Sequence, residues 1–422
     1  AEKYSSLQEA YDSLLEYISN YISNDTGFGK KVYRYMVSSG SISGWEVCMM
    51  LYEQGVLEPS GSAYEGLSSG RMSAYDFMIN AITEKTITPA QLALEPCSGS
   101  AVVADPDTGE LLALVSYPGY DNNRLSGTVD KDYYEQLRND KAKPLINKAT
   151  SLRTAPGSIF KPCSAITGLE QGVISTGESI VCTGQYTAVT PSPKCWIYPR
   201  SHGAENVSTA IRDSCNVFFY TVGHRLGMES GGTYNSTKGT DLLKNYAEQL
   251  GLATKSGVEI YEMDPHPSDR DAVASAIGQG THAYSAINLC RYVSTLATSG
   301  VCHDFTLVSK ITDYNGNVIR DNEPVVSNTM NVSSSTWNAV HQGMRLVIEN
   351  TASFKGLPYQ AAGKSGTAQE NTNKADHITF ISYAPYDNPE VAVSVLIPNG
   401  YASSNAAKLT SDIYKIYWGL DK

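Results

Sequence analysis

Pro156-Gly157-Ser158-Ile159-Phe160-Lys161-Pro162 contains the only Ser-x-x-Lys of the chain. On a helix, positions i and i+3 share a face, so Ser158 and Lys161 stand side by side. A serine hydroxyl is a weak nucleophile until a base lies within hydrogen-bond reach. A lysine serves as that base only when its own pKa is lowered, as burial beside a second cation does. Gly157 lets the backbone turn tightly into the helix. Ser158 then sits at the helix N-terminus, with its backbone N–H available to face an oxyanion. Taken alone, a Ser-x-x-Lys most often marks an amphipathic helix with a surface lysine. Two downstream elements change that reading.

The first is Ser214-Cys215-Asn216, and the second is Lys364-Ser365-Gly366-Thr367. Each has a second copy, Ser403-Ser404-Asn405 and Lys255-Ser256-Gly257. Context separates the copies. Ser403 and Asn405 begin a C-terminal helical pattern, where a polar cap accounts for them. Lys255 follows a helical run and suits a helix C-terminus. Lys364 instead follows small residues and precedes two strand patterns, His377 to Tyr383 and Val391 to Ile397. That order places it on an edge strand whose backbone can face a substrate.

In chain order, Ser158-x-x-Lys161, Ser214-x-Asn216 and Lys364-Ser365-Gly366 form the serine penicillin-recognising triplet. The chain resembles the transpeptidase domain of penicillin-binding proteins, most closely the class B, monofunctional kind of Gram-positive anaerobes. Val102-Val103-Ala104-Asp105-Pro106-Asp107-Thr108-Gly109-Glu110 is similar to that family's opening hairpin, and Ser116-Tyr117-Pro118-Gly119-Tyr120 to the strand end after it. Ile277-Gly278-Gln279-Gly280 and Tyr383-Ala384-Pro385 match further landmarks. The resemblance runs from about residue 96 to the C-terminus, and residues 5–17 look like the helix leading in.

The resemblance implies acyl transfer on peptidoglycan stem peptides ending in D-Ala-D-Ala. Ser158 is then the nucleophile, Lys161 its base, and Ser214 the proton relay to the leaving amine. Lys364 lowers neighbouring pKa values and attracts the substrate carboxylate, and Asn216 bonds the substrate amide. Ser365, Gly366 and Thr367 form the substrate-binding strand, with the backbone of Ser158 and Thr367 as oxyanion hole. β-Lactam antibiotics are implied as acylating ligands, and a glycosyltransferase of the cell-wall machinery as partner. No cofactor is required for this chemistry. The family also carries an N-terminal membrane anchor and a pedestal. Neither is read in these residues, so the expectation is a chain lacking its anchor that works at the extracytoplasmic face. Two alternatives share the triplet: a serine β-lactamase, usually much shorter, and a non-catalytic β-lactam sensor or scaffold.

Composition agrees with an ordinary globular protein: 422 residues, 41% hydrophobic and 18% charged, enough to bury a sizeable core. A formal net charge of −11 argues against nucleic acid and against adhesion to anionic lipid. No apolar run approaches a membrane span.

The fold class expected is α+β, an antiparallel sheet of about five strands flanked by helices plus an all-helical subdomain, as in serine β-lactamases and transpeptidases. Residues 1–95 read as a helical lead-in or accessory region, its first helix part of the transpeptidase domain, broken by Gly- and Ser-rich stretches at 37–44 and 59–70. Residues 96–422 form the transpeptidase domain. Within it a strand from Ala101 and a second from Leu111 to Tyr117 come first, residues 158–300 are mostly helical, and Leu307 to Arg320 is a hairpin around Asn315-Gly316. A helix near 335–349, an edge strand at 359–369, two more strands and a helix at 404–418 complete it.

Eight cysteines in this length are too few for a disulfide scaffold. Cys163 and Cys215 fall in helical apolar stretches and read as small packed hydrophobes. Cys182 and Cys195 flank a turn-rich loop with His202 close behind. Three states stay open: free thiols, a disulfide, or a structural zinc on Cys182, Cys195 and His202. The sequence names no fourth ligand.

Overall fold

The computed structural model describes residues 7–84, 86–87, 98–368 and 375–420. The border expected at residues 95 and 96 lies outside these. The chain divides into two compact units, Ala1–Pro96 and Cys97–Lys422. In the first, five helices follow in order: α1 Leu7–Asn24, α2 Thr26–Ser38, α3 Gly44–Glu53, α4 Gly61–Ser68 and α5 Ala74–Thr83. Ser43 and Ser73 start α3 and α5 by accepting the backbone N–H of Glu46 and Asp76, which satisfies an orphan donor at each helix start. Cys48, Leu51, Leu67, Phe77 and Ala81 form a small core between them. Helix α4 lies inside the stretch 59–70 that reads as a break. Its Gly and Ser content lowers helix propensity, yet Leu67 is fully enclosed in that core, and packing overrides propensity.

In the second unit β1 Gly99–Ala104, β2 Leu111–Tyr117, β3 Ala362–Ala368, β4 His377–Ala384 and β5 Val391–Ile397 make one sheet. Its order is β2-β1-β5-β4-β3 with every neighbouring pair antiparallel. The sequence ends meet here, as the strand placement predicts. Between β1 and β2 the Asp105 carboxylate accepts the backbone N–H groups of Asp107 and Thr108, the local bonding that makes Asp a turn former. Strand residues alternate between two cores. Val102, Ala104, Ala392 and Leu396 face one, and Ala101, Val103, Val391, Val393 and Val395 face the other.

The helices that cover this sheet and build the helical side include α6 Lys161–Glu170, α7 Val207–Arg212, α8 Asn216–Gly227, α9 Ala286–Ala297, α10 Ser334–Glu349 and α11 Ser403–Tyr417. Every residue of α9 is buried. It lies on one sheet face, where the Ser394 hydroxyl donates to the carbonyl of Ala286 at 2.5 Å. On the opposite face the Tyr414 hydroxyl of α11 donates to Ser382 at 2.9 Å. The 310–321 hairpin forms as expected, with Asp313 accepting the N–H groups of Asn315 and Asn317. A two-stranded ribbon, Ile180–Cys182 with Gly203–Glu205, interrupts the helical region and brackets the cysteine loop. Helix α11 starts at Ser403 without a side-chain cap. Ser403 lines the cleft described next, which corrects the polar-cap reading.

Candidate active site

The nucleophile segment is clamped from two sides. Gly157 has φ +55, and a Cβ there would sit 2.4 Å from the carbonyl oxygen of Thr367 on β3. Gly278 has φ +77, and a Cβ there would meet the Gly157 carbonyl at 1.9 Å. Only glycine fits either position. The Gly157 N–H donates to the Gly278 carbonyl at 3.0 Å, fixing the turn between β3 and the Ile277–Gly280 segment. Ser158 lies in a 3-10 turn, Gly157–Phe160, and the α-helix proper begins at Lys161. Such turns are common at helix starts.

Lys161 is fully buried. Its Nζ reaches the carbonyl of Ser214 at 2.7 Å, the Ser214 hydroxyl at 3.1 Å and Asn216 Oδ1 at 2.7 Å. Lys364 is also buried, and its Nζ lies 3.2 Å from the same Ser214 hydroxyl and 3.1 Å from the Ser365 carbonyl. Ser214 occupies φ +53 between α7 and α8, an uncommon conformation for serine. It is held there by the bonds from its own N–H to Ile211 and from Cys215 N–H to Ala210. One hydroxyl thus stands between two buried lysine amines. Burial, and after it the charge of Lys364, holds Lys161 well below the usual lysine range. Burial brings Lys364 down to about 7. A buried amine of this kind is poised to give up its proton near neutral pH.

Ser158 opens on a cleft of about 830 Å³, lined also by Ser214, Asn216, Ser365 and Thr367. Among the described residues its hydroxyl has no hydrogen-bond partner, so it is free to approach a carbonyl. Gly366 completes the strand between Ser365 and Thr367 on the edge strand β3, paired with Thr379 of β4. The eight motif residues singled out in the sequence therefore surround one cleft. The second copies do not join it. The Lys255 ammonium pairs with Asp264 at 3.3 Å on the surface, and Ser256 is buried against Glu262. Lys364→Ala is accordingly expected to cut β-lactam acylation strongly, while Lys255→Ala stays within about 0.5 kcal/mol of the parent in stability and acylates normally. Stopped-flow acylation of the two variants checks this, and reversed effects would contradict the placement of the third motif.

Behind the cleft four potential ligands gather. The Sγ atoms of Cys182, Cys195 and Cys215 and one nitrogen of His202 all lie within 4.8 Å of one another. His202 Nδ1 is 3.5 Å from Cys182 Sγ and 3.7 Å from Cys195 Sγ. Tetrahedral zinc with Zn–S of about 2.3 Å and Zn–N of about 2.05 Å puts S and N about 3.5 Å apart, so the cluster fits such an ion. The Asn216 N–H donates to Cys195 Sγ at 3.3 Å, and the Cys215 thiol holds Cys195 low while being pushed up itself. Cys182 and Cys195 are not joined in a disulfide. The apolar context of Cys215 suggested a merely packed thiol, and its Sγ lies in this same group. Cys163 is enclosed in the core.

Residues 99–415 match the family model described as penicillin binding protein transpeptidase domain. The chain belongs to the penicillin-binding protein transpeptidase family. The peptidoglycan D,D-transpeptidase MrdA of Haemophilus influenzae is 29% identical over 362 residues, 77% of this chain and 53% of that protein. The peptidoglycan D,D-transpeptidase PbpA of Mycolicibacterium smegmatis is 29% identical over 332 residues, 72% of this chain and 62% of that protein. The chain thus spans about half the length of the MrdA relative. Among solved structures, Pseudomonas aeruginosa PBP2 in complex with WCK 5153 superposes with a TM-score of 0.66 at 26% identity, covering 76% of this chain and 71% of that one.

This penicillin-binding protein fold brings further residues to the cleft that sequence reading did not assign. Trp196, Arg212, Asp213, Asp376 and Ser403 all line it. The Trp196 indole N–H donates to the carbonyl of Asp213 at 3.0 Å, and its ring lies 5.5 Å from that of His202. Trp196 follows Cys195 directly, but nothing in a loop sequence says where its ring will dock. Among the described residues, no helix is long and apolar enough to cross a membrane.

Proposed function

We propose that this chain is a peptidoglycan D,D-transpeptidase that cross-links stem peptides through an acyl-enzyme on Ser158. The observation that carries the reading is the Lys161–Ser214–Lys364 chain of contacts at 3.1 and 3.2 Å, one turn from the free Ser158 hydroxyl. Neutral Lys161 takes the Ser158 proton as Oγ bonds to the carbonyl carbon of the penultimate D-Ala. The oxyanion that forms is held by the backbone N–H groups of Ser158 and Thr367. Ser214 hands its proton to the nitrogen of the terminal D-Ala as the peptide bond breaks and takes back the one held by Lys161, and that D-Ala leaves as a neutral amine. Protonated Lys364, with Ser365 and Thr367, holds the terminal carboxylate, and Asn216 bonds the substrate amide. An amine of a second stem peptide then attacks the ester carbonyl, its proton passes through Ser214 to Lys161, and Lys161 returns a proton to Ser158 Oγ as the ester bond breaks. β-Lactams enter the same first step and leave Ser158 acylated. No cofactor takes part.

Family membership supports this reading, as does the naming of relatives at 29% identity as D,D-transpeptidases. We place the enzyme at the extracytoplasmic face of the bacterial membrane, beside a glycosyltransferase. A protein 26% identical to this chain has been solved in a peptidoglycan synthase complex that coordinates polymerization and crosslinking. Residues 1–95 are proposed as a helical lead-in and accessory region, the first helix belonging with the transpeptidase domain. Purified protein given a D-Ala-D-Ala peptide and an amine acceptor should release D-Ala and form the aminolysis product. Protein that acylates but yields only hydrolysed peptide would contradict the transfer step.

Structural zinc on Cys182, Cys195, His202 and Cys215 is the finer part of the proposal. When bound it would tie the 183–194 loop to the turn carrying Ser214 and hold the thiols as thiolates. Elemental analysis of protein purified without added metal should find about one zinc per chain, and a chelator should lower Tm. Metal-free protein with three titratable thiols at this cluster and an unchanged Tm would contradict it.

A further inference from the structure

In the first compact unit, residues 38–54 recur as residues 68–84, thirty positions on. Ser38-Ser39-Gly40-Ser41-Ile42-Ser43-Gly44-Trp45-Glu46-Val47 corresponds to Ser68-Ser69-Gly70-Arg71-Met72-Ser73-Ala74-Tyr75-Asp76-Phe77. The backbone repeats with the sequence. Gly40 and Gly70 take φ +76 and +71. The Ile42 and Met72 N–H groups donate to the Met36 and Gly66 carbonyls, and Ser43 and Ser73 cap the helix that follows. The unit thus holds two helix–turn–helix repeats, α2–α3 and α4–α5. Repeats of this size cannot bury an apolar face alone and hold together by stacking.

The two repeats stack through α3 of the first and α4 of the second. The Trp45 indole N–H donates to the Leu67 carbonyl at 2.9 Å, and the Tyr52 ring meets that of Tyr64 at 4.9 Å. On α5 the positions equivalent to Trp45, Met49 and Tyr52 are Tyr75, Ile79 and Ile82, and all three are exposed. On α2 the position equivalent to Leu67 is Val37, 50% exposed where Leu67 is 0% exposed. Both faces of the internal junction therefore recur exposed, one at each end of the stack. A stack that ends on itself presents polar outer faces. These are apolar and aromatic.

We propose that α5 of one copy of this chain docks on α2 of a second copy, repeating the α3–α4 junction between molecules. The occupant is a second copy because one chain carries both halves of a junction whose fit is seen inside it. Charge agrees with this pairing. Exposed Lys31 and Arg34 lie on α2, while exposed Asp76 lies on α5 and exposed Glu84 at its C-terminal cap, and opposite charges across a contact fix its register. The two faces differ, so the contact runs head to tail and leaves one of each free after every addition. A junction between two helices is smaller than a standard interface, so association is expected at about 10–100 μM protein.

Sedimentation equilibrium of the full chain tests this. The weight-average mass of wild-type protein should climb with concentration above the 45.6 kDa of one chain. Ile79→Glu and Val37→Glu should each hold the protein at monomer mass. Both positions are exposed, so Tm and penicillin labelling should match the parent. An equimolar mixture of the two variants should associate again and stop at the dimer, since one intact α5 face and one intact α2 face remain between them. A second arm uses Ile82→Cys and Arg34→Cys, the counterparts of the Tyr52–Tyr64 contact. Mixed and mildly oxidised, these two should form a disulfide-linked dimer, and neither should do so alone. Wild-type protein that stays monomeric across the concentration range, or association that neither glutamate weakens, overturns the proposal. A mixture of the glutamate variants that stays monomeric, or of the cysteine variants that does not link, overturns the head-to-tail pairing and the proposal with it.

Discussion

Ser158→Ala protein should show no covalent labelling by a fluorescent penicillin under conditions that label the parent completely. The hydroxyl is the only atom removed, and it has no hydrogen-bond partner among the described residues. No buried group loses a contact, so the fold should hold, with Tm close to the parent. The surrounding Lys161, Ser214 and Lys364 contacts remain, and without Oγ they have no nucleophile to serve. Ser214 cannot replace it, being already shared between the two lysines. Labelling of Ser158→Ala at a comparable rate would move the nucleophile elsewhere and sink the assignment.

Lys161→Ala should slow acylation by roughly 10²–10⁴-fold, the worth of a positioned base. It also strips a donor from the Ser214 carbonyl and Asn216 Oδ1, at a cost of about 1–3 kcal/mol in stability for buried acceptors left unpaired. Lys161→Arg separates the two effects, because it keeps a cation that never becomes a free base, and it should lose rate as severely. The pH profile carries a further signature. Acylation should rise with pH as Lys161, held low by burial and by Lys364, loses its proton. It should fall again above about 7 as Lys364 becomes neutral and releases the β-lactam carboxylate. Lys364→Ala should remove the falling limb. Stability follows the same titration. With its folded pKa depressed from 10.5 to about 7, Lys364 binds fewer protons folded than unfolded, so its contribution to stability grows as pH rises through that window. Urea denaturation at several pH values reads this directly.

The central strands of the sheet were legible because they are short, nearly continuous apolar runs, as in Val391–Ile397, which is buried against both cores. The cleft residues were legible because three short motifs carry chemistry that surface residues have no reason to combine. The duplicate Lys-Ser-Gly was set aside on neighbours alone, and Lys255 does lie on the surface. What escaped reading depends on contacts between distant segments. Cys215 sits in a helical apolar context, and only the fold brings its sulfur to Cys182, Cys195 and His202. Ser403 looks like a helix cap in sequence, but the chain enters α11 so that Ala402 takes the capping position. Helix α4 is hidden by its own composition, since Gly61, Ser62 and Ser68 are turn residues by propensity and Leu67 is its one fully buried residue.

The central claim is a stable acyl-enzyme on Ser158, and intact-mass spectrometry over time tests it most directly. Wild-type protein mixed with benzylpenicillin should gain the mass of one intact ligand, and peptide mapping should place it on Ser158. The adduct should persist long after free drug is removed. Rapid return to the unmodified mass would mean a β-lactamase, and no adduct at all would contradict the active site described here.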